Sequence, residues 1–209
     1  MLHFLIIFAL LGAGIKFIDA AYDEKTFSKK HALIVAPVLG ILWSYTMLIN
    51  PVAATILLAI IIGVFFKGKI DNIAHMAGLI VILGVTIFAG VQILWAPLVI
   101  FGISALIDEV GNDFVDKRKN LQYSKKLRHK FITKFFGHRW MLKVSILGCA
   151  MIGMVPLIFF LAMVFFDYSY IMVSYISRVK MGTATYPDIN LIIKKIRTTL
   201  WPTEEIENI

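Results

Sequence analysis

Two stretches of this 209-residue chain, 31–66 and 72–107, contain no Asp, Glu, Lys or Arg, and each is 36 residues long. A helix needs about 20 apolar residues to cross a bilayer. A 36-residue run with a break in the middle therefore predicts one helical hairpin. The breaks are legible at Asn50-Pro51 and across 90–97, where Trp95 suits a membrane interface. Only helices and closed barrels satisfy their backbone in lipid, and the alternating segments of about 10 residues that build a barrel are absent. Each hairpin returns to the surface it left, so charge collects there. Eight of the 13 acids lie at those junctions: Asp19, Asp23, Glu24, Asp71, Asp108, Glu109, Asp113 and Asp116.

Composition agrees with a bilayer environment. The hydrophobic fraction is 59%, the charged fraction 16% and the mean hydropathy +0.83, against roughly 25% charged residues in a soluble domain. The expected fold class is all-α, a polytopic transmembrane bundle of about seven helices. The first helix is expected over 2–22. Residues 1–15 resemble the apolar part of a signal peptide but lack a basic leader and a cleavage site, so they are read as a retained helix. A third apolar stretch, 144–177, has 34 residues and one charge, Asp167. It is expected to fold as a hairpin around Pro156. The bundle then covers 1–180, with a basic amphipathic connector at 117–143 and a polar tail at 181–209. The lone Cys149 offers no disulfide framework.

Basic residues set the expected orientation. Lys25, Lys29, Lys30, Lys67, Lys69 and the nine Lys and Arg of 117–139 fall on one surface, while the opposite loops have none. The positive-inside rule makes that surface cytoplasmic, with the N-terminus outside and the C-terminus inside. The net charge of +8 suits a rim beside anionic lipid headgroups and calls for no nucleic acid. Residues 121–136, with Leu127, Phe131 and Phe135 among bases, read as an interfacial helix or a lid.

The acids form a constellation. Lys16, Asp19 and Asp23 share a helix face at i, i+3 and i+7, and Glu109, Asn112, Asp113 and Asp116 form a second stripe beside Asp108. Asp71 opens the following hairpin at the same depth. Crowded carboxylates repel one another, and a divalent cation offsets that. Mg²⁺ is held by one or two carboxylates plus phosphate oxygens, so Asp19, Asp23, Asp71, Glu109, Asp113 and Asp116 are candidate metal ligands. Lys16, Lys67, Lys69 and Arg118 are candidate phosphate partners. Each acid also has a plain reading as a solvated rim residue. His75, one turn from Asp71, reads as a polar helix residue. No Ser-His-Asp set, Cys/His cluster or Gly-rich phosphate loop is present.

The run Gly111-Asn112-Asp113-Phe114-Val115-Asp116 resembles the first Asp-rich motif, N-D-x-x-D-x-x-x-D, of the UbiA superfamily of membrane prenyltransferases. Asn120 stands where that motif ends in Asp. Asp19-Ala-Ala-Tyr-Asp23 is similar to the family's second motif, D-x-x-x-D. Four predicted helices separate the two motifs, as in the family, but their order is reversed and the helices number about seven rather than nine. The resemblance implies a Mg²⁺-dependent transferase. It implies that Asp113, Asp116, Asp19 and Asp23 act on an isoprenoid diphosphate at a cytoplasmic mouth, that Asn112, Asp108 and Tyr22 join the bases around the substrate, and that a small or lipid acceptor is alkylated. Tyr22, Phe17, Phe114 or Trp43 would shield an allylic cation. Two other classes remain open: a divalent-cation transporter using the same acids with Asp167 as midpoint, and a non-catalytic scaffold. The D-G-x-x-A-R pattern of CDP-alcohol phosphotransferases is absent.

Overall fold

The computed structural model describes residues 1–68, 70–118 and 127–183, and it leaves the Asp116 side chain undescribed. Lys69, residues 119–126 of the connector (Asn120 among them) and the tail from 184 lie outside the described residues.

Among the described residues the chain forms eight α-helices and no strand. They are α1 (His3–Tyr22), α2 (Lys29–Ile49), α3 (Pro51–Phe66), α4 (Ile73–Ala89), α5 (Trp95–Asp116), α6 (Leu127–Gly137), α7 (Trp140–Met151) and α8 (Ile158–Lys180). The all-α expectation holds. Three of these, α1, α2 and α8, are long and apolar enough to cross a membrane. The apolar helices α3, α4 and α7 have 16, 17 and 12 residues. At 1.5 Å per residue, 16 residues rise about 24 Å, less than a hydrocarbon core of about 30 Å. Helix α5 has 22 residues, with Asp108, Glu109 and Asp113 in its second half.

Local chemistry sets the helix ends. Asn50 is extended, and its side chain accepts from the Val52 and Ala53 amides at 2.9 and 3.0 Å. Pro51 follows at the first helical position, where its missing N–H costs nothing. Asn72 caps α4 by accepting from the His75 amide, and α4 ends at Gly90 in the left-handed region, φ 68°. The third apolar stretch is two helices, α7 and α8, broken at 152–157 around Pro156. Asp167 thus lies within the second arm, and it is ion-paired to Lys143 of the first.

Helix α1 packs along α8 and against α2, α2 packs on α4, and α3 packs on α5. Phe8, Leu11, Met47, Ile56, Phe101 and Phe159 are fully buried between them. Many outward positions are also apolar: Ile6, Ile34, Val38, Ile80 and Phe88 are 61–92% exposed. Soluble proteins rarely leave so much contiguous apolar surface in water.

Where α1 crosses α8 the backbones nearly touch. A Cβ on Gly12 would lie 2.1 Å from the Phe166 carbonyl oxygen. Next to it, the Ser169 hydroxyl donates to the Ala9 carbonyl at 2.6 Å. By contrast, a Cβ on Gly84 meets nothing within 4 Å. We expect Gly12→Ala to destabilise the detergent-solubilised protein by about 1–3 kcal/mol, as overpacking does. Gly84→Ala should be neutral or slightly stabilising. Thermal unfolding of the two variants side by side checks this, and equal behaviour contradicts the packing shown for α1 and α8.

Candidate functional site

The end of α1, the start of α4 and the middle of α8 meet at Asp19. Tyr170 donates its hydroxyl proton to Asp19 Oδ2 at 2.9 Å. His75 Nε2 lies 3.2 Å from Asp19 Oδ1, close but outside strict hydrogen-bond geometry. Asn72 steers the His75 ring. Its amide oxygen accepts from the His75 backbone at 2.9 Å, and its Nδ2 lies 3.0 Å from His75 Nδ1. With Nδ1 accepting from Asn72, a neutral imidazole carries its proton on Nε2, toward Asp19.

Two cations lie beside the Tyr170 ring. Lys16 Nζ and the Arg139 guanidinium each lie 5.6 Å from its centroid. Each is held by an acid: Lys16 by Glu24 at 2.5 Å, and Arg139 by Glu109 at 3.0 Å. Arg139 occupies the left-handed region, φ 49°, immediately before α7. Glu24 also accepts from Ser177 of α8, whose hydroxyl lies 2.5 Å from that of Thr26. Burial alone would raise the Glu24 pKa. The hydrogen bonds from Lys16 and Ser177, with the charges of Lys16 and Arg178, reverse that and hold it below its ordinary value.

The other sequence-predicted residues distribute around this centre. Asp23 lies just past α1, and its pKa is raised, first by partial burial and then by Asp19 and Asp71. Asp23 thus feels the charge of both other acids. Lys67 pairs with Asp113 at 2.8 Å, tying the end of α3 to the end of α5, and Asn112 is half-buried on the same helix turn. Asp108 is buried, and its two oxygens accept from the Met141 and Leu142 amides at 2.9 and 2.8 Å. It caps α7 from α5, replacing the cap that Arg139 does not supply. Tyr22 lies under Lys29, and Phe114 lies under Arg118. Tyr170 and Arg139 carry the centre; the tyrosines beside Asp167 read as hydrogen-bond donors or an aromatic belt, with nothing to pair Tyr170 with Asp19, and Arg139 reads only as one base of the connector. The one hint at 139 is the break in helical pattern at Gly137-His138.

Behind Asp19 a pocket of about 160 Å³ opens between α1, α2, α3, α4 and α8. Asp19, His75, Tyr170 and Arg139 line its polar end, and Ile18, Leu39, Ile61, Leu79, Ile82 and Phe166 line its body. A cavity of about 150 Å³ admits benzene, so a small apolar group fits. Trp43 also lines the pocket and is only 5% exposed. Its indole N–H has no hydrogen-bond partner among the described residues.

Among the described residues, no three His, Cys, Asp or Glu side chains converge closely enough to hold a metal alone. Asp19 and Asp23 lie one turn apart, Asp19 in the last turn of α1 and Asp23 at its C-terminal cap. Comparison of the chain with protein-family models, curated proteins and solved structures returned no match.

The Glu24 linkage has a definite sign. The folded carboxyl binds a proton less readily than the unfolded one, so its stabilisation is complete above the ordinary pKa of 4.5. It is lost as pH falls below that value toward the lowered folded pKa. Glu24→Gln should therefore reduce stability at pH 7 and flatten the loss on acidification. Unfolding free energies measured from pH 7 to pH 3 for both proteins check this, and parallel curves would contradict the Lys16–Glu24–Ser177 arrangement.

Proposed function

We propose that the chain is a multi-pass membrane protein of about seven spans that binds an isoprenoid diphosphate, with Mg²⁺, and transfers its prenyl group to a small or lipid acceptor. The charged end faces the cytoplasm and the N-terminus lies outside, as the distribution of bases favours. Short helices such as α3 and α4 cross with local bilayer thinning, and α6 lies at the interface. The observation that carries the reading is the apolar pocket closed at one end by Asp19, His75, Tyr170 and Arg139, beside the acids Asp23 and Asp71.

The division of labour follows from the chemistry. The pocket body, about 160 Å³, takes the first isoprenoid unit beside the diphosphate and shields the reactive allylic centre, and the rest of the chain extends out of it. Asp19 and Asp23 are the carboxylates placed to anchor a metal–diphosphate. The metal, when bound, neutralises charge on the departing diphosphate. Lys16 and Lys67, now paired with Glu24 and Asp113, can turn to phosphate oxygens. Arg139 adds a fixed positive charge and a planar donor fork at the pocket end.

The transport alternative has less support. It needs a polar path across the bilayer. Ser44, Thr46, Thr55, Thr86 and Ser104 instead donate to carbonyls of their own helices, four residues earlier, at 2.6–2.8 Å. Asp167, the proposed midpoint, is held by Lys143.

The test is thermal stability of the purified protein with geranylgeranyl diphosphate, with and without Mg²⁺. Ligand at 100 times its dissociation constant should stabilise by about 2.7 kcal/mol. Asp19→Asn and Asp113→Asn should abolish the shift relative to their own baselines. A shift with divalent metal alone and none with the diphosphate would overturn the prenyl reading in favour of transport.

A further inference from the structure

Helix α6 packs on the bundle through its inner face. The Phe136 ring lies against Gly111 of α5, so closely that a Cβ there would be 2.0 Å from it. From Leu127 to Phe136 the helix makes about two and a half turns, which puts the two on opposite faces. On the outer face Leu127, Phe131 and Phe135 form a stripe at i, i+4 and i+8. Leu127 is 84% and Phe131 65% exposed, and the Phe131 and Phe135 rings stack at 5.6 Å. Trp140, just beyond the helix, lines one groove with these residues and with Arg128, Lys130 and Lys134.

The bases border the stripe. Lys130 and Lys134, one turn apart, run along one edge, and Arg128 lies on the other. The whole run 117–143 contains no Asp or Glu. Among the described residues, none of these three bases is ion-paired. An occupant of this face must therefore be apolar where it meets the stripe and anionic where it meets the edges. A negatively charged lipid leaflet is both. The rings enter the acyl boundary, while the long Lys and Arg stems carry their charges up to the phosphates. A soluble polyanion would neutralise the bases and leave the aliphatic end of the stripe, at Leu127, in water.

We infer that the outer face of α6, with Trp140, is a docking site for anionic phospholipid, selected over zwitterionic lipid by Arg128, Lys130 and Lys134. This rests on the membrane reading of the chain and not on prenyl transfer. Adjacent residues serve the two sites: Trp140 lines the α6 groove, and Arg139 lines the pocket at Asp19. Lipid bound outside thus braces the elbow that carries Arg139, whose backbone is held in the left-handed region at φ 49° and whose guanidinium reaches Glu109.

The test titrates short-chain phosphatidylglycerol and phosphatidylcholine, of equal chain length, into the full-length protein in detergent. Bound lipid is counted by native mass spectrometry. The wild type should bind the anionic lipid about tenfold more tightly than the zwitterionic one, and removing a base should cost about fivefold, the effect of one Lys or Arg at an anionic surface. Lys130→Gln with Lys134→Gln should therefore abolish the preference without changing thermal unfolding in the absence of lipid. Lys29→Gln with Lys30→Gln, which removes the same charge from exposed positions on α2, should keep it. Phe131→Ser should weaken both lipids alike. Equal wild-type affinities for the two lipids overturn the inference. So do equal losses in the two double variants, which reduce the effect to net charge. Replacing Glu204, Glu205 and Glu207 by Gln tests the acidic end of the chain as occupant, and a preference that emerges only in that variant overturns lipid docking in favour of the tail. No arm contains an isoprenoid diphosphate, so the result stands or falls apart from the transfer reading.

Discussion

A carboxylate placed in an apolar bundle must find partners, and Asp19 finds a hydrogen-bond donor on one other helix and a close imidazole on a second. Tyr170 reaches it from α8 and His75 from α4. Losing either contact leaves an ionisable group short of partners where desolvation is costly, so the end of α1 is confined between α4 and α8. Adjacent pairs extend the constraint. Lys16 and Arg139 each lie 5.6 Å from the centre of the Tyr170 ring, and each brings its own acid, Glu24 or Glu109. Glu24 in turn reaches Ser177 near the end of α8. One end of the molecule is thus a connected polar network, and its geometry is over-determined.

The rest of the bundle follows a different rule. Away from that end almost nothing polar is left to pair. The Ser and Thr hydroxyls fold back on carbonyls of their own helices, which suits a surrounding that offers no water. Helices then approach closely where residues are small, with hydroxyl bonds across at Ser169–Ala9 and Ser104–Ser145. Gly12 lets α1 meet the α8 backbone, and Gly40 lies against the Gly78 carbonyl, where an added Cβ would be 2.7 Å away. The Gly40–Gly78 contact also forms part of the pocket wall. Close packing of α2 on α4 and the shape of the cavity are therefore one feature.

The pocket lies where the two regimes meet. Its polar end belongs to the Asp19 network and its body to the apolar bundle, so an amphiphile matches it in one orientation only. Asp108 and Asp167 show that not every acid in the charged zone is free for such a ligand. The first caps α7, and the second neutralises Lys143. Both secure the α7–α8 hairpin, whose turn lies at the far end from the site, and so hold Tyr170 and Arg139 in place.

The sequence pattern, by itself, determined that the chain is helical and that its helices break at Asn50-Pro51, within 90–97 (found at 90–94) and around Pro156. Those properties are local. A charge-free run has a length, a turn dipeptide has a conformation, and residues at i and i+4 share a face whatever packs on them. Asp19 and Asp23 were legible for the same reason, as neighbours on one helix. Only the tertiary structure decided that Tyr170, 151 residues away in the chain, bonds Asp19, that Asp108 is consumed as a cap, and that the Trp43 indole N–H is buried without an acceptor among the described residues. Such meetings depend on which helix faces pack together, and in a chain apolar on nearly every face no periodicity in the sequence marks one face from another.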